Sequence, residues 1–458
     1  MQIAWPLIIN SGSFALLNFF DRLFLSWYGI DAFRASLPGG ILFFTLVCGF
    51  MALTGITNTF VAQLWGKEDR RGCARATTQG MILALLSLPF IALLEPVGLL
   101  LLNISGHPPE VLALEAEYFS ILMWGGGGIV LSSAISSFFS GRGCTRTVMG
   151  CNLLANGLNI LMNYWFVFGG LGLPAMGIAG AGWASVIGCW SAPLFFAISY
   201  FNRSHRREFG TLVEVRLDRD LLKRMLRFGL PAGFHLFTEV SAFTVFVLLI
   251  GRLGDIAHIA GNMALSINLI AFMPMVGMGI AASILVGQYL GRKEPQEAAK
   301  CGWMALRVGT GYIASIGVTF LVMPDLYLQL FMPEEVEVDA LALREAVYQL
   351  LRILAVWGIA DAAALILSGA LKGAGDTHFV MRYHAACAWG MLVPGQLLLI
   401  LYFKVDHLVS WAWTLLYVTL LGGGYTWRFF SGRWKEIKLL EDKNRLPPLS
   451  LGADAESL

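Results

Sequence analysis

VAQLWGKEDRRGCAR, residues Val61–Arg75, is answered by VGQYLGRKEPQEAAK, residues Val286–Lys300, at an offset of 225 positions. Val, Gln, Gly, a base, an acid, Ala and a base recur in register, and Pro6 and Pro231 keep the same offset. Further on, SGRGCTRTVM (Ser140–Met149) is matched by KGAGDTHFVM (Lys372–Met381) at an offset of 232. The chain is two copies of one plan. Gly66, Gly72, Gly291, Gly373 and Gly375 close helical runs and do not follow strands, so they read as tight turns between antiparallel helices and not as a nucleotide-binding loop.

Around these motifs the chain is apolar. Of its 458 residues 57% are hydrophobic and 14% charged, against about 25% charged in soluble domains. Twelve apolar runs centre near residues 15, 50, 90, 127, 159, 189, 240, 274, 313, 357, 393 and 418, each of about the 20 residues that cross a bilayer. An even number of spans per copy relates the halves by an axis along the membrane normal. The expected fold is all-α and polytopic, with twelve transmembrane helices in two pseudo-symmetric six-helix bundles. The predicted divisions are a first lobe over 1–201, a charged linker over 202–227, a second lobe over 228–430 and a tail over 431–458. In the linker Leu217, Leu221, Leu222 and Met225 recur at helical spacing, which predicts a segment lying along the membrane surface.

Basic residues gather in the second and fourth loops, the linker, the loops after helices 8 and 10 and the tail, while Arg34, Arg252, Arg344 and Lys404 are the clear exceptions. By the positive-inside rule both termini and the linker are cytoplasmic, and the acidic stretch 333–339 is external. The opening MQIAWPLIIN lacks a basic n-region and a small-residue cleavage site, so the first span is expected to be retained. A net charge of +2 without a basic stripe argues against a nucleic-acid partner. The seven cysteines are scattered singly and read as small apolar packers, not as a metal or redox set.

Within this lipid-soluble frame one residue is out of place. Glu239 stands in GLPAGFHLFTEVSAFTVFVLLIGRLG, Gly229–Gly254, where an ionisable group costs roughly 2.5–3.5 kcal/mol to insert and marks a functional site. Asp361 repeats the anomaly in the tenth span. At 1.5 Å per residue both acids lie roughly 15 Å from the linker side. Two ionised carboxylates facing each other at low dielectric require a cation or a shared proton. Sodium and a proton both meet that demand, and Asn262 and Asn268 are further oxygen donors for sodium. His235, one turn before Glu239, shares its helix face and can tune its proton affinity. Asp21 lies nearer the outer end of the first span, Asn159 and Asn163 share a face of the fifth, and Pro274 interrupts the eighth. His107 with Glu110 and Asp406 with His407 fall in short external loops and read as incidental.

Taken in order, Pro6 with Asp21, VAQLWG, PAMGIAGAGWA (Pro174–Ala184), Leu230-Pro231 with Phe237-Thr238-Glu239, VGQYLG, and Asp361 with Gly369, Gly373, Asp376 and Thr377 resemble the multidrug and toxin extrusion (MATE) family, in its NorM-like branch. The resemblance implies cation-coupled export of bulky organic molecules by alternating access. It assigns the cation site to Glu239 and Asp361, with Trp357 in the place where such relatives carry Tyr. It assigns proton or substrate coupling in the first lobe to Asp21 near Asn159 and Asn163. Arg22 departs from the family pattern, which has Thr after that Asp.

The leading expectation is therefore an antiporter in the inner membrane. It would be driven by Na+ or H+, without a further cofactor, would expel amphiphilic and often cationic compounds, and would be monomeric. The rival is a lipid-linked oligosaccharide flippase of the same superfamily, for which Arg22 and Arg352 within predicted spans would suit a pyrophosphate. A membrane-embedded enzyme would need a nucleophile, metal or acid-base constellation that the motifs do not supply.

Overall fold

The computed structural model describes residues 3–440 apart from 105–107, 171, 173 and 332–338. Among the described residues twelve long helices follow one another: α1 (Ala4–Tyr28), α2 (Ile30–Gly66), α3 (Arg70–Ile104), α4 (Pro109–Gly141), α5 (Thr145–Phe168), α6 (Gly177–Tyr200), α7 (Arg219–Ile250), α8 (Asp255–Gly291), α9 (Pro295–Val322), α10 (Ala340–Ala374), α11 (Thr377–Tyr402) and α12 (His407–Phe430). Nine of them carry stretches long and apolar enough to cross a membrane. The others, α1, α5 and α12, have 24 or 25 residues, also enough for about 30 Å of hydrocarbon. α1 and α5 are less apolar because they bear Asn10, Asp21, Asn152, Asn156, Asn159 and Asn163.

Helix ends follow local chemistry. Asp218 Oδ1 accepts from the Leu221 amide at 3.0 Å and starts α7 nine residues before its apolar run. Leu221, Leu222 and Met225 therefore belong to α7, and the helix within the expected linker is Arg203–Phe209. Asp339 caps α10 and Asp406 caps α12, which explains the Asp406–His407 pair. His107 and residues 333–338 lie outside the described residues. Helix α8 continues through Pro274. The seven cysteines are free thiols.

Each half is organised around its fourth helix. In the first bundle α4 packs on α2, α3 and α6, and in the second its counterpart α10 packs on α8, α9 and α12. The bundles touch through α1 with α8, and through α2 with both α7 and α8. At the linker-bearing end the chain straps these parts together. Arg75 pairs with Glu214 at 3.0 Å, Arg70 with Glu208 at 3.0 Å, and Gln79 donates to the Arg216 carbonyl at 2.7 Å. The tail contributes Trp434, fully buried and stacked on Phe429 at 4.8 Å, and Leu439, which joins a hydrophobic cluster with Phe60 of α2 and Phe228 of α7.

The linker helix is seated by His205, which lies among Phe138, Phe139 and Phe209 with Nδ1 2.8 Å from the Ser199 carbonyl and Nε2 3.5 Å from Arg142. Burial holds its pKa below the ordinary value, reinforced by the Arg142 charge, against the opposing Ser199 contact and the Glu208 charge. The undocked helix therefore binds more protons than the docked one once the pH falls below about 6.5, and docking weakens on acidification. Deuterium uptake by residues 203–216, corrected for intrinsic exchange, is expected to rise from pH 7.5 to 5.5, and His205→Phe is expected to remove that pH dependence.

Candidate functional site

Helix α7 presents His235, Thr238 and Glu239 toward the interior of the second bundle. His235 is buried and its Nδ1 lies 3.7 Å from Glu239 Oε2, whose side chain is 40% exposed. Asp361, on α10, is close enough to Glu239 for the two charges to interact, and it lies within hydrogen-bonding reach of the Trp357 indole one turn earlier. Helix α7 packs on α2 and α11 while α10 packs on α8, α9 and α12, so the two acids stand on separate helices of the second bundle. Among the described residues Asp361 forms no ion pair with a lysine or arginine.

Three further polar residues join this pair. The His384 ring of α11 stands 4.6 Å from that of His235, its Nδ1 3.5 Å from Thr238 Oγ1 and its Nε2 3.2 Å from the Tyr417 hydroxyl of α12. Lys372, near the end of α10, interacts electrostatically with Glu239 and with both imidazoles. Sequence reasoning passed over His384, Tyr417 and Lys372. The first two sit in spans whose apolar character masked them, and Lys372 was absorbed into a repeat motif. The signal that singled out Glu239, an ionisable group within a span, applies equally to His384 and Lys372.

Other expected donors lie elsewhere. Asn262 is exposed and its Nδ2 is 3.2 Å from His258 Nε2, on its own helix, and Asn268 is half-buried. The Trp357 ring is buried against Phe246 and Trp411, at 6.5 and 5.8 Å.

The first bundle holds the second set. Asn163 of α5 donates its amide to the Asp21 carboxylate of α1. It is the last rung of a ladder in which Asn152 donates to Asn10 at 2.7 Å and Asn156 to Ser13 at 3.2 Å. Asn159 reaches Ser185 of α6 at 3.5 Å. Among the described residues the side-chain oxygens of Asn159 and Asn163 are buried and accept no hydrogen bond, which is costly in a low dielectric, and that of Asn163 lies on the amide that meets Asp21. Arg22 is exposed and interacts with Asp21 and Tyr118. Arg352 lines a surface recess of about 270 Å³ with Arg344 and Tyr348, so the two arginines do not converge on one anion site.

The MatE family model matches the chain twice, over residues 6–165 and 231–398, once in each bundle. The probable multidrug resistance protein NorM of Brucella suis biovar 1 (strain 1330) is 28% identical over 426 residues, covering 90% of this chain and 88% of the relative. The multidrug resistance protein MdtK of Proteus mirabilis (strain HI4320) is 30% identical over 418 residues, with 90% and 88% covered. Among solved structures, an outward-facing multidrug resistance MATE family transporter of the MOP superfamily superposes with a TM-score of 0.83 at 20% identity, covering 95% of this chain and 96% of that one. A eukaryotic MATE transporter gives 0.83 at 18%, with 95% of each covered. The solved structures bear out the two-bundle fold, and with the duplicated family match and the length of the sequence relationships they establish kinship: the chain belongs to the MATE family of membrane transporters, in its NorM-like branch.

Proposed function

We propose that the protein is a cation-coupled antiporter that exports drug-like, amphiphilic compounds by alternating access. The feature that carries this reading is the presence in the second bundle of two carboxylates, Glu239 and Asp361, close enough for their charges to interact. Two ionised carboxylates there repel strongly, so an arriving cation or proton stabilises one arrangement of the bundle and its departure favours another. An organic cation entering beside Glu239 would compete for the same negative charge.

The surroundings favour a proton over sodium. Sodium needs several hard oxygens, whereas most of the groups around the two acids carry nitrogen, namely Trp357, Lys372 and the imidazoles of His235 and His384, with the hydroxyls of Thr238 and Tyr417 engaged on His384. These are donors or nitrogen bases, suited to passing and holding a proton. Asp21 with Asn159 and Asn163 forms a second coupling point, richer in oxygen.

In this reading residues 1–201, and residues 228–430 together with the start of α7 from Arg219, move as two bodies in the inner membrane, joined by the linker, with both termini in the cytoplasm, and the protein works as a monomer. The basic-residue bias supports that orientation. Vesicles loaded with ethidium and given either a pH or a sodium gradient test the reading. A pH gradient alone is expected to drive transport. Transport indifferent to both gradients sinks the antiport reading, and movement of a lipid-linked sugar without ethidium transport establishes the flippase instead.

A further inference from the structure

Four helix ends meet at the linker-bearing end of the molecule, in two equivalent pairs. The Gln63 amide of α2 donates to the Gly373 carbonyl at the end of α10, at 3.3 Å. The Gln288 amide of α8 donates to the Gly141 carbonyl at the end of α4, at 2.8 Å. Gln63 and Gln288 hold equivalent places in the repeat, as do Gly141 and Gly373, so each lobe gives the other the same donor and the same acceptor. Both glutamines are buried, at 5% and 9% exposure.

Between these bonds α2 and α8 touch backbone to backbone. A Cβ on Gly66 would overlap the Gln288 carbonyl and lie 3.0 Å from Gly291 Cα, and a Cβ on Gly291 would overlap the Gln63 carbonyl and lie 3.0 Å from Gln63 Cα. All of those obstructing atoms belong to the opposite lobe. The seam is thus built from neutral amides, which exchange protein partners for water at small net cost, and from glycines, which allow close approach without interlocking. A buried ion pair in the same place would be far costlier to break. Such a contact is strong enough to seal and weak enough to open.

We propose that Gln63 and Gln288, with Gly66 and Gly291, form a two-fold clasp that sets how long the transporter remains closed at its linker end. This is a positioning role in transport, and it rests on the alternating-access reading above. Its readout is the exposure of one lobe to the other, so it stands or falls separately from the coupling carboxylates.

Hydrogen-deuterium exchange of the full-length protein in lipid nanodiscs tests it. In Gly66→Ala, uptake is expected to rise about tenfold, the scale of two neutral hydrogen bonds, both in residues 57–66 and in residues 284–291 of the untouched lobe. Uptake within α4 around residues 125–135 is expected to match the parent. The double variant Gln63→Ala/Gln288→Ala is expected to give the same pattern, and Gln63→Ala alone a smaller rise, because the equivalent bond remains. Parent-like uptake in 284–291 in both Gly66→Ala and the double variant overturns the proposal. A rise across the whole chain in Gly66→Ala means unfolding, and the glutamine pair, which only removes atoms, then decides: a rise confined to the seam supports the clasp and parent-like uptake overturns it.

Discussion

Glu239→Gln is expected to lower gradient-driven efflux about 100-fold, toward the upper end of ordinary coupling free energies of about 1–3 kcal/mol, with membrane expression unchanged. The amide keeps the size of the side chain and can still meet His235, which lies 3.7 Å from the carboxylate, but it neither releases a proton nor offers a negative charge. It also relieves the repulsion felt by Asp361, so the bundle loses the difference between loaded and empty states that the gradient exploits. Asp361→Asn is expected to have the same effect, because the amide keeps the size of the side chain and removes its charge. Vesicles under a pH gradient read both variants. If each retains parent-like efflux, coupling does not pass through the second bundle, and Asp21 with Asn163 becomes the place to look.

Asp376→Ala is expected to cost about 3–5 kcal/mol of stability, the range for removing one partner of a buried ion pair. Asp376 is 4% exposed and accepts from Arg428 Nε at 2.7 Å, while the guanidinium lies 4.8 Å above the Phe379 ring. The pair joins the turn after α10 to the end of α12. Without its carboxylate the arginine is left as an uncompensated charge at 16% exposure. The apparent melting temperature of the purified protein is expected to fall by several degrees. Asp376→Leu/Arg428→Met is expected to recover most of that loss, since an apolar pair of similar volume carries no desolvation cost. An unchanged melting temperature together with lost efflux would instead make Asp376 part of the transport machinery.

The sequence was most legible where one residue's chemistry sufficed. Helix count and placement followed from apolar run length, because a span must satisfy its backbone within itself whatever its neighbours do. The duplication followed from Val61–Arg75 and Val286–Lys300. Glu239 and Asp361 stood out because ionisable groups in hydrocarbon are expensive, whereas Asp21 and Asn163 were assigned by the family resemblance, and the fold places them as two separate clusters, one in each bundle. The start of α7 was misplaced, because hydropathy registers only the lipid-facing part of a helix, and the Asp218 cap extends it into water.

What the chain determined on its own was the membrane, the number of spans, the repeat and the acids most costly to bury, since each depends on local composition. Partnership was decided only in three dimensions: His384 against His235, Trp357 against Phe246 and Trp411, Asp376 with Arg428, and Gln63 and Gln288 exchanging bonds across the lobes. Such contacts join residues far apart in sequence, and they depend on which helix faces meet when the bundles close. Periodicity along a single helix carries no record of that choice.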